Sequence, residues 1–474
     1  KVTPAHDPVD FEIGARHNLV YQNATVIGFD DRMTAEAFEF AGLHKLEARK
    51  KVIEKLGKLI EKEEPYTHRV GHCERCKTVI EPLISLQWFI SMKPLAKPAM
   101  TAVQGKKTAI IPKRFEKTYF QWLENIHDWC VSRQLWWGPQ LPIWYCGLKG
   151  LTSLQKTQNP DLVESSTDQN KGCGEVIASL EKPTIPCPKC GKKLWIQDPD
   201  TFDTWFLSGQ WPYTTLGFEQ GIERKKDFQY FYPTSVMETG YEILFFWVAR
   251  MMMLGLYRTG EVPFKTVYLH GLVRDALGEK MSKSKENVID PIQVVEKHGA
   301  DALRMALISG TAPGNDSKLY EEKIVGYRNF ANKIWNMGRF LLFNIENTKL
   351  PSLEEALKSG EEKDLWLLSE LKTTVMEVNK KIEKYRLSEA AQMLYNFLWH
   401  KLADIYIEYT KTQVQQGNFV PLRLLLHAFT QGLILLHPFM PFITEEVYLQ
   451  LPRDTASLMI STWPEGKNGK TAKK

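Results

Sequence analysis

Apolar side chains recur at steps of three and four from residue 387 onward: Leu387, Ala390, Ala391, Leu394, Phe397, Leu398, Leu402, Ile405 and Tyr409. Such spacing lines one stripe of an amphipathic helix. Leu422, Leu425, Leu426, Phe429, Leu433 and Leu436 repeat it until His437-Pro438-Phe-Met-Pro441, where prolines without an amide proton end the run. Together with residues 327–344 and 364–385, the pattern predicts an antiparallel helix bundle. Residues 65–326 read differently. Short apolar runs alternate there with tryptophan-rich turns and helices, as in an α/β domain. Inside it, residues 147–172 are rich in Ser, Thr, Gln, Asn, Lys and Gly and read as a flexible surface insertion. Residues 1–64 read as the tail of a mixed domain closing in a charged helix over 34–63. Residues 467–474 read as a basic, disordered end.

Composition narrows this little. A chain of 474 residues has room for about two to four domains, and 43% apolar with 25% charged residues is ordinary for a globular protein. Lys+Arg (61) exceed Asp+Glu (56) by only five charges, which is compatible with a polyanionic partner and selects none. The start, Lys-Val-Thr-Pro, has no apolar run of a secretory signal. Residues 241–257 are too short for a membrane span and carry Glu242 and Arg250, so a buried core helix is expected and no membrane partner. Seven cysteines that include two CxxC pairs point to metal binding in a reducing, cytoplasmic setting. The chain opens without Met in what reads as mid-domain, so a fragment or one part of a split protein is expected.

Two local patterns carry chemistry. Cys187-Pro-Lys-Cys190-Gly is half of a zinc knuckle, a tight turn that presents two thiolates to one tetrahedral ion. Lys280-Met281-Ser282-Lys283-Ser284 puts cations and hydroxyls on a short loop after an apolar segment, where ammonium groups can meet a polyphosphate. Cys73-Glu-Arg-Cys76 is a second half-site with no further CxxC to complete it, and a metal-free pair is expected. Cys130 reads as a small core hydrophobe.

Residues 268–291 around the Lys280 loop, Asp128-Trp-Cys-Val-Ser-Arg-Gln-Leu-Trp-Trp-Gly138, residues 197–206, 237–251, 299–304 and 326–336 together resemble the class I aminoacyl-tRNA synthetases, and among them the valine enzymes. The resemblance implies an α/β fold: the second half of a Rossmann-like catalytic domain over 65–326, with a zinc knuckle at about 146–195. An all-α anticodon-binding helix bundle follows over 327–474, and residues 1–64 are the remnant of an editing domain. It implies activation of valine by ATP with Mg2+ and transfer to tRNA(Val). Lys280 and Lys283 would balance the departing pyrophosphate, with Ser282 and Ser284 on the same loop. His270 and Gly271 would lie near the adenine, and Glu242 would face the ribose hydroxyls. Trp205, Ile243 and Trp247 match the family's amino-acid pocket, the last two sharing one helix face. Lys1, Thr3, Asp7 and Asp10 match its hydrolytic editing pocket. Cys146 and Cys173 would join Cys187 and Cys190 around one structural Zn2+.

The sequence also departs from the family. Glu242 stands where Asp is more usual, and Glu286 follows the signature's third lysine where glycine is usual. The polar insertion separates Cys146 from Cys173, which the family places in one tight pair. His68-Arg-Val-Gly-His72 has the wrong spacing for the family's HIGH motif, and that segment, the first half of the nucleotide fold and the C-terminal arm are missing. A missing N-terminal half of the same enzyme is therefore an expected partner. The competing readings are a non-catalytic tRNA-binding module and an isoleucyl or leucyl specificity.

Overall fold

The computed structural model describes residues 2–19, 25–67, 69–73, 76–151, 172–218, 226–281, 287–346 and 348–465. Two compact units divide the chain: Lys1–Met92 with His127–Leu207, and Lys93–Ile126 with Ser208–Lys474.

The second unit is built on a three-stranded parallel sheet. Phe264–His270 lies in the middle, flanked by Ala109–Ile111 and Thr234–Gly240. Val267 and Leu269 on the central strand, with Met237 and Ile110 beside them, are buried, while Thr266, Tyr268 and His270 are half-buried or exposed. That alternation is the period-two signature of a strand. Parallel neighbours need a crossover, and residues 241–259 supply it. The expected core segment is present but not as one α-helix. It winds as a 3-10 turn Tyr241–Ile243, a π-helix Leu244–Ala249 and an α-helix Arg250–Thr259. Met251 to Leu254 are buried in succession, as in a helix enclosed on all sides. Gly260, at φ +78°, closes it in the left-handed conformation that a side chain would oppose.

Among the described residues, the C-terminal bundle is built from Glu321–Ile345, Leu353–Ser359, Glu362–Glu383, residues 387–415, Val420–Leu436 and Pro441–Gln450. Ala390, Ala391, Leu394, Phe397, Leu398, Leu402, Leu422, Leu425, Phe429, Leu433 and Leu436 all enter one core, as their spacing predicts. Ile405 does not, being 40% exposed. Residues Asn396–Tyr406 are wound as a π-helix, and its wider turn rotates the stripe so that Ala403 and Tyr406 face inward instead. Tyr406 donates its hydroxyl to Asp364 (2.5 Å), a carboxylate with no exposed surface. Burial and that neighbour push the Tyr406 hydroxyl well above the usual tyrosine range.

The proline break at 437–441 is met from helix Ala300–Ile308. Asp301 accepts the amides of Phe442 (3.4 Å) and Ile443 (2.6 Å), the first turn of Pro441–Gln450. Arg304 donates to the carbonyls of Phe439 (3.2 Å) and Pro438 (3.0 Å). The orphan groups of a broken helix are thus satisfied from one neighbouring turn.

The first unit contains a three-stranded antiparallel sheet, with Ile143–Cys146 between Val176–Ala178 and Trp195–Gln197. Two short antiparallel pairs accompany it, Phe89–Ile90 with Trp129–Cys130 and Ser132–Arg133 with Thr201–Phe202. Two expectations are corrected here. The helix expected over 34–63 is broken into a kinked 3-10 segment Ala35–Phe40, an α-helix Lys45–Leu56 and a last turn Gly57–Leu59. Gly42 at φ +80° and Gly57 at φ +44° mark the breaks. Cys130 is not a core hydrophobe: it is half-buried, and its sulfur lies 3.8 Å from both Gln87 Oε1 and Ser132 Oγ.

Asp301 is 6% exposed and bridges two helices, so Asp301→Ala should lower stability by about 1–3 kcal/mol through two stranded amides. Arg304→Ala, which removes an exposed side chain whose bond to Pro438 is also exposed, should lose less. Urea unfolding followed by circular dichroism compares them, and equal losses would show that the cap is not the stabilising contact.

Candidate nucleotide and metal sites

In open α/β sheets, ligands bind beyond the carboxyl ends of the strands. The second unit places candidate residues there. His270 ends the central strand opposite Gly240, the last residue of its neighbour. Its Nδ1 lies 2.7 Å from the Gly271 carbonyl and its Nε2 3.3 Å from Glu238 Oε1. Gly271 runs so close to the 315–316 backbone that an added Cβ would sit 2.0 Å from the Asn315 carbonyl, so only glycine fits. Glu242 is exposed just past Gly240, and Lys280 Nζ reaches 3.9 Å from its carboxylate. A cleft of about 690 Å³ is lined by Glu238, Tyr268, His270, Gly271, Arg304 and Tyr385 among others.

The base of the lysine loop is pinned at both ends. Lys280 bridges Arg274, and Arg274 is ion-paired to Asp316. Asp275 accepts the Glu279 amide (2.7 Å) and, from the far side of the loop, the Asn287 side chain (2.8 Å). The Asn287 amide and the Glu279 N–H hold the Asp275 carboxyl below the usual carboxylate range. Met281 packs on a small cluster formed by Ala302, Leu303, Ala306, Leu319 and Ile324. Ser282, Lys283 and Ser284, with Glu286, lie outside the described residues.

Ile243 and Trp247 do not share a regular α-helix as the sequence suggests. The first closes the 3-10 turn and the second sits in the π-helix. Both are half-buried, and the Trp247 indole donates to the Ser208 carbonyl at 3.2 Å. Trp205 belongs to the first unit, where it is also half-buried.

Cys146, Cys173, Cys187 and Cys190 converge in the first unit, their sulfurs all within 4.8 Å of one another. Cys146 and Cys190 lie 3.4 Å apart, and Cys173 and Cys187 3.5 Å. Around a tetrahedral ion with bonds of about 2.3 Å, sulfurs stand roughly 3.8 Å apart, so the donor set fits such an ion. The sequence separation of Cys146 and Cys173 does not keep them apart. The strand ending at Cys146 donates its last amide to Glu175 (2.8 Å), and Gly174 returns one to the Cys146 carbonyl (3.0 Å). The 187–190 turn closes through Gly191 N–H to the Cys187 carbonyl at 2.8 Å. Burial pushes the Cys146 thiol up to about 12. Burial also opposes ionisation of Cys187, but the amides of Lys189 and Cys190 outweigh it and bring that thiol down to about 7.

At the start of the chain, Thr3 and Asp10 are brought together: Asp10 Oδ2 accepts the Thr3 amide (2.6 Å) and hydroxyl (3.0 Å). Asp7 instead caps helix Pro8–Arg16, accepting the amides of Val9 and Asp10. Lys1 lies outside the described residues. Cys76 lies 3.2 Å from the Thr78 hydroxyl, which with the Thr78 amide draws its thiol down to about 7. Among the described residues, the pair with Cys73 gathers no third ligand. Of the discounted histidine pair, His72 faces the Val70 carbonyl and His68 is outside the described residues.

The family model for class I tRNA synthetases (I, L, M and V) matches residues 14–320, and that for the anticodon-binding domain of tRNA ligase matches 364–474. The valine–tRNA ligase of Clostridium tetani is 43% identical over 98% of this chain, and that of Carboxydothermus hydrogenoformans 46% over 98%. The chain belongs to the valine–tRNA ligase family. It spans about half the length of these curated relatives, 50% of each.

Solved structures agree on the fold of this ligase-family chain. A methionyl-tRNA synthetase of Mycobacterium tuberculosis, in complex with methionyl-adenylate, matches 79% of this chain and 64% of its own at 16% identity and a TM-score of 0.55. The LeuRS of Agrobacterium radiobacter K84, in a ternary complex with tRNA and LeuAMS, matches 72% of this chain and 42% of its own at 23% identity and a TM-score of 0.52. The architecture is thus a class I synthetase catalytic region followed by a helical anticodon-binding domain. No helix among the described residues is long and apolar enough to cross a membrane.

Sequence reasoning missed the clamp at Asp275 and Asn287, although both flank the lysine loop within the motif it singled out. The four-cysteine geometry has a direct test. Metal-free protein titrated with Co2+ should develop the intense visible spectrum of tetrahedral thiolate coordination and saturate at one equivalent per chain. Cys187→Ser should shift or abolish that spectrum; an unchanged spectrum would place the metal elsewhere.

Proposed function

We propose that this chain is the signature-loop and anticodon-binding portion of a valine–tRNA ligase, acting in ATP-dependent activation of valine and its transfer to tRNA(Val). The observation that carries this reading is the Lys280 loop, rooted beyond the carboxyl ends of two parallel strands in a chain 43–46% identical to valine–tRNA ligases. The relatives' specificity leaves the isoleucyl and leucyl readings without support.

In this reading Lys280 and Lys283 carry positive charge to the phosphates of ATP, where negative charge builds as pyrophosphate departs. Ser282 and Ser284 add hydroxyl donors. Mg2+ accompanies ATP as part of the substrate. His270 and Gly271, whose missing side chain lets the 315–316 backbone close on the strand end, are the candidates to border the adenine, and the Glu242 carboxylate can accept from the two ribose hydroxyls. Its pairing with Lys280 is solvent-exposed and easily exchanged for those hydroxyls. Trp205, Ile243 and Trp247 are the family's candidates for holding valine. An apolar pocket cannot strongly reject threonine, a hydroxylated isostere, so the reaction needs editing. Lys1, Thr3, Asp7 and Asp10 are the candidates for that hydrolytic site.

A Zn2+ ion at Cys146, Cys173, Cys187 and Cys190 would act as a crosslink, tying the 187–190 turn to the strand that ends at Cys146. Residues 1–64, 65–326 and 327–474 would be editing remnant, catalytic part and anticodon-binding part, working in the cytoplasm. Thr234–Gly240 is an edge strand among the described residues, paired on one side only. Ala109–Ile111 is the other edge strand, and we assign the open edge of Thr234–Gly240 to a further polypeptide segment that adds to the nucleotide fold.

The isolated chain should therefore give no valine-dependent exchange of pyrophosphate into ATP, and robust exchange would overturn the division of labour. In the complete enzyme, Lys283→Ala should slow activation by about 100-fold while changing the KM for valine far less, because the ammonium acts on transition-state charge. An effect confined to KM would count against it.

The helix bundle should bind tRNA(Val) through the anticodon stem with a steep loss of affinity as salt rises, since phosphate contacts release counterions. Preference for the native anticodon would come from unstacked bases. Binding measured with native and altered anticodons across a salt series checks both, and equal affinity would reduce the bundle to a nonspecific RNA binder.

A further inference from the structure

Residues 197–205, Gln-Asp-Pro-Asp-Thr-Phe-Asp-Thr-Trp, bury three carboxylates within six positions: Asp198 is 0%, Asp200 2% and Asp203 5% exposed. Buried charge is tolerated only when donors surround it. Asp198 accepts the Trp88 indole (2.9 Å) and the Tyr145 hydroxyl (2.7 Å), and Asp200 accepts the Gln134 side chain (2.9 Å). These contacts hold one strand connection in place. Asp203 is arranged differently, because its two oxygens face different parts of the chain.

Asp203 Oδ2 receives the Trp129 indole N–H at 2.8 Å and the Arg133 guanidinium at 3.0 Å. Oδ1 receives the backbone N–H of Trp205 at 3.3 Å, at the start of helix Thr204–Ser208. The Asp203 amide is itself tied to the Val131 carbonyl (2.7 Å), and its carbonyl accepts the Phe206 amide (2.9 Å). Phe206 stacks on Phe202 with ring centres 4.6 Å apart and lies 6.2 Å from Trp129. Trp205 therefore springs from backbone held on both sides, while its own ring stays half-exposed.

We infer that Asp203 is a positioning residue that fixes the stance of the Trp205 indole and thereby the size of side chain the activation site accepts. This rests on the assignment of Trp205 to the valine pocket. The carboxylate is needed because both of its oxygens must accept. An amide of the same size keeps one acceptor and turns a donor either toward the indole and guanidinium or toward the Trp205 N–H. The first orientation loses the ties to Trp129 and Arg133 and the second the tie to the Trp205 amide, so in either case the ring gains freedom. A single methylene separates valine from isoleucine and is worth about 10–200-fold in discrimination, so a small displacement of the wall is enough to register.

The chain is labelled with 5-fluorotryptophan, and the Trp205 resonance is assigned with Trp205→Phe. Asp203→Asn should shift or broaden that resonance while leaving that of Trp463 in place. In the complete enzyme carrying this chain, the same variant should raise the KM for valine about tenfold, keep kcat within about twofold, and raise the relative kcat/KM for isoleucine about tenfold. Trp129→Phe, which removes one donor and keeps a ring, should move the same quantities in the same direction by less; it serves if Asp203→Asn fails to fold. A fall in kcat with KM and the isoleucine ratio unchanged would overturn the inference, as would an undisturbed Trp205 resonance. Trp205→Ala separates the two levels. If it leaves the ratio unchanged, the pocket assignment fails; if it changes the ratio and Asp203→Asn does not, only the positioning role fails.

Discussion

Strand Phe264–His270 pairs in parallel on both sides, and that pairing requires chain to cross from the end of one strand back to the start of the next. The crossover after Thr234–Gly240 is the buried helix rich in methionine, and the carboxyl ends of the strands are left free of it. Gly240, Glu242, His270 and Gly271 come together there because strand register puts His270 opposite Gly240. The lysine loop begins shortly afterwards, and its base is drawn closed by Asp275, which holds both Glu279 and Asn287. Shift the register by one residue and every side chain on this edge would change face.

Buried carboxylates do most of the positioning elsewhere. Asp301 caps the helix after the proline break, Asp364 receives the Tyr406 hydroxyl inside the bundle, and Asp198, Asp200 and Asp203 organise the first unit. Each has specific donors, and an unpaired one would be costly to bury. Such groups add less to net stability than to uniqueness of arrangement, which is what a substrate pocket and a helix junction need. The π-wound stretch Asn396–Tyr406 belongs to the same logic, since its wider turn is what lets Tyr406 reach Asp364.

Membership in the valine–tRNA ligase family and the half-length span of the chain are complementary facts. The catalytic region and the anticodon-binding region are both represented, and among the described residues both outer strands of the parallel sheet, Ala109–Ile111 and Thr234–Gly240, are paired on one side only. A sheet with a free edge is a natural place for further backbone to add. The donors of the four-cysteine cluster all come from one compact unit.

Much of this was legible in the residues alone. Spacing of three and four marked the bundle core, two prolines marked its break, and the lysine loop with its flanks identified the family, because each is a local pattern of adjacent residues. The resemblance named Cys146 and Cys173 as partners of the 187–190 turn, but whether they could meet across residues 147–172 depended on strand pairing that no local pattern encodes. The inward turn of Tyr406 in place of Ile405 and the 3-10 and π winding at Ile243 and Trp247 also escaped, since periodicity assumes a regular helix and packing chose another. The capping of helix Pro8–Arg16 by Asp7, a residue that the resemblance assigns to the editing pocket, is also a property of the folded backbone. Asp203 was invisible for the plainest reason: its donors, Trp129 and Arg133, lie some seventy residues away, and only the folded chain brings them to one carboxylate.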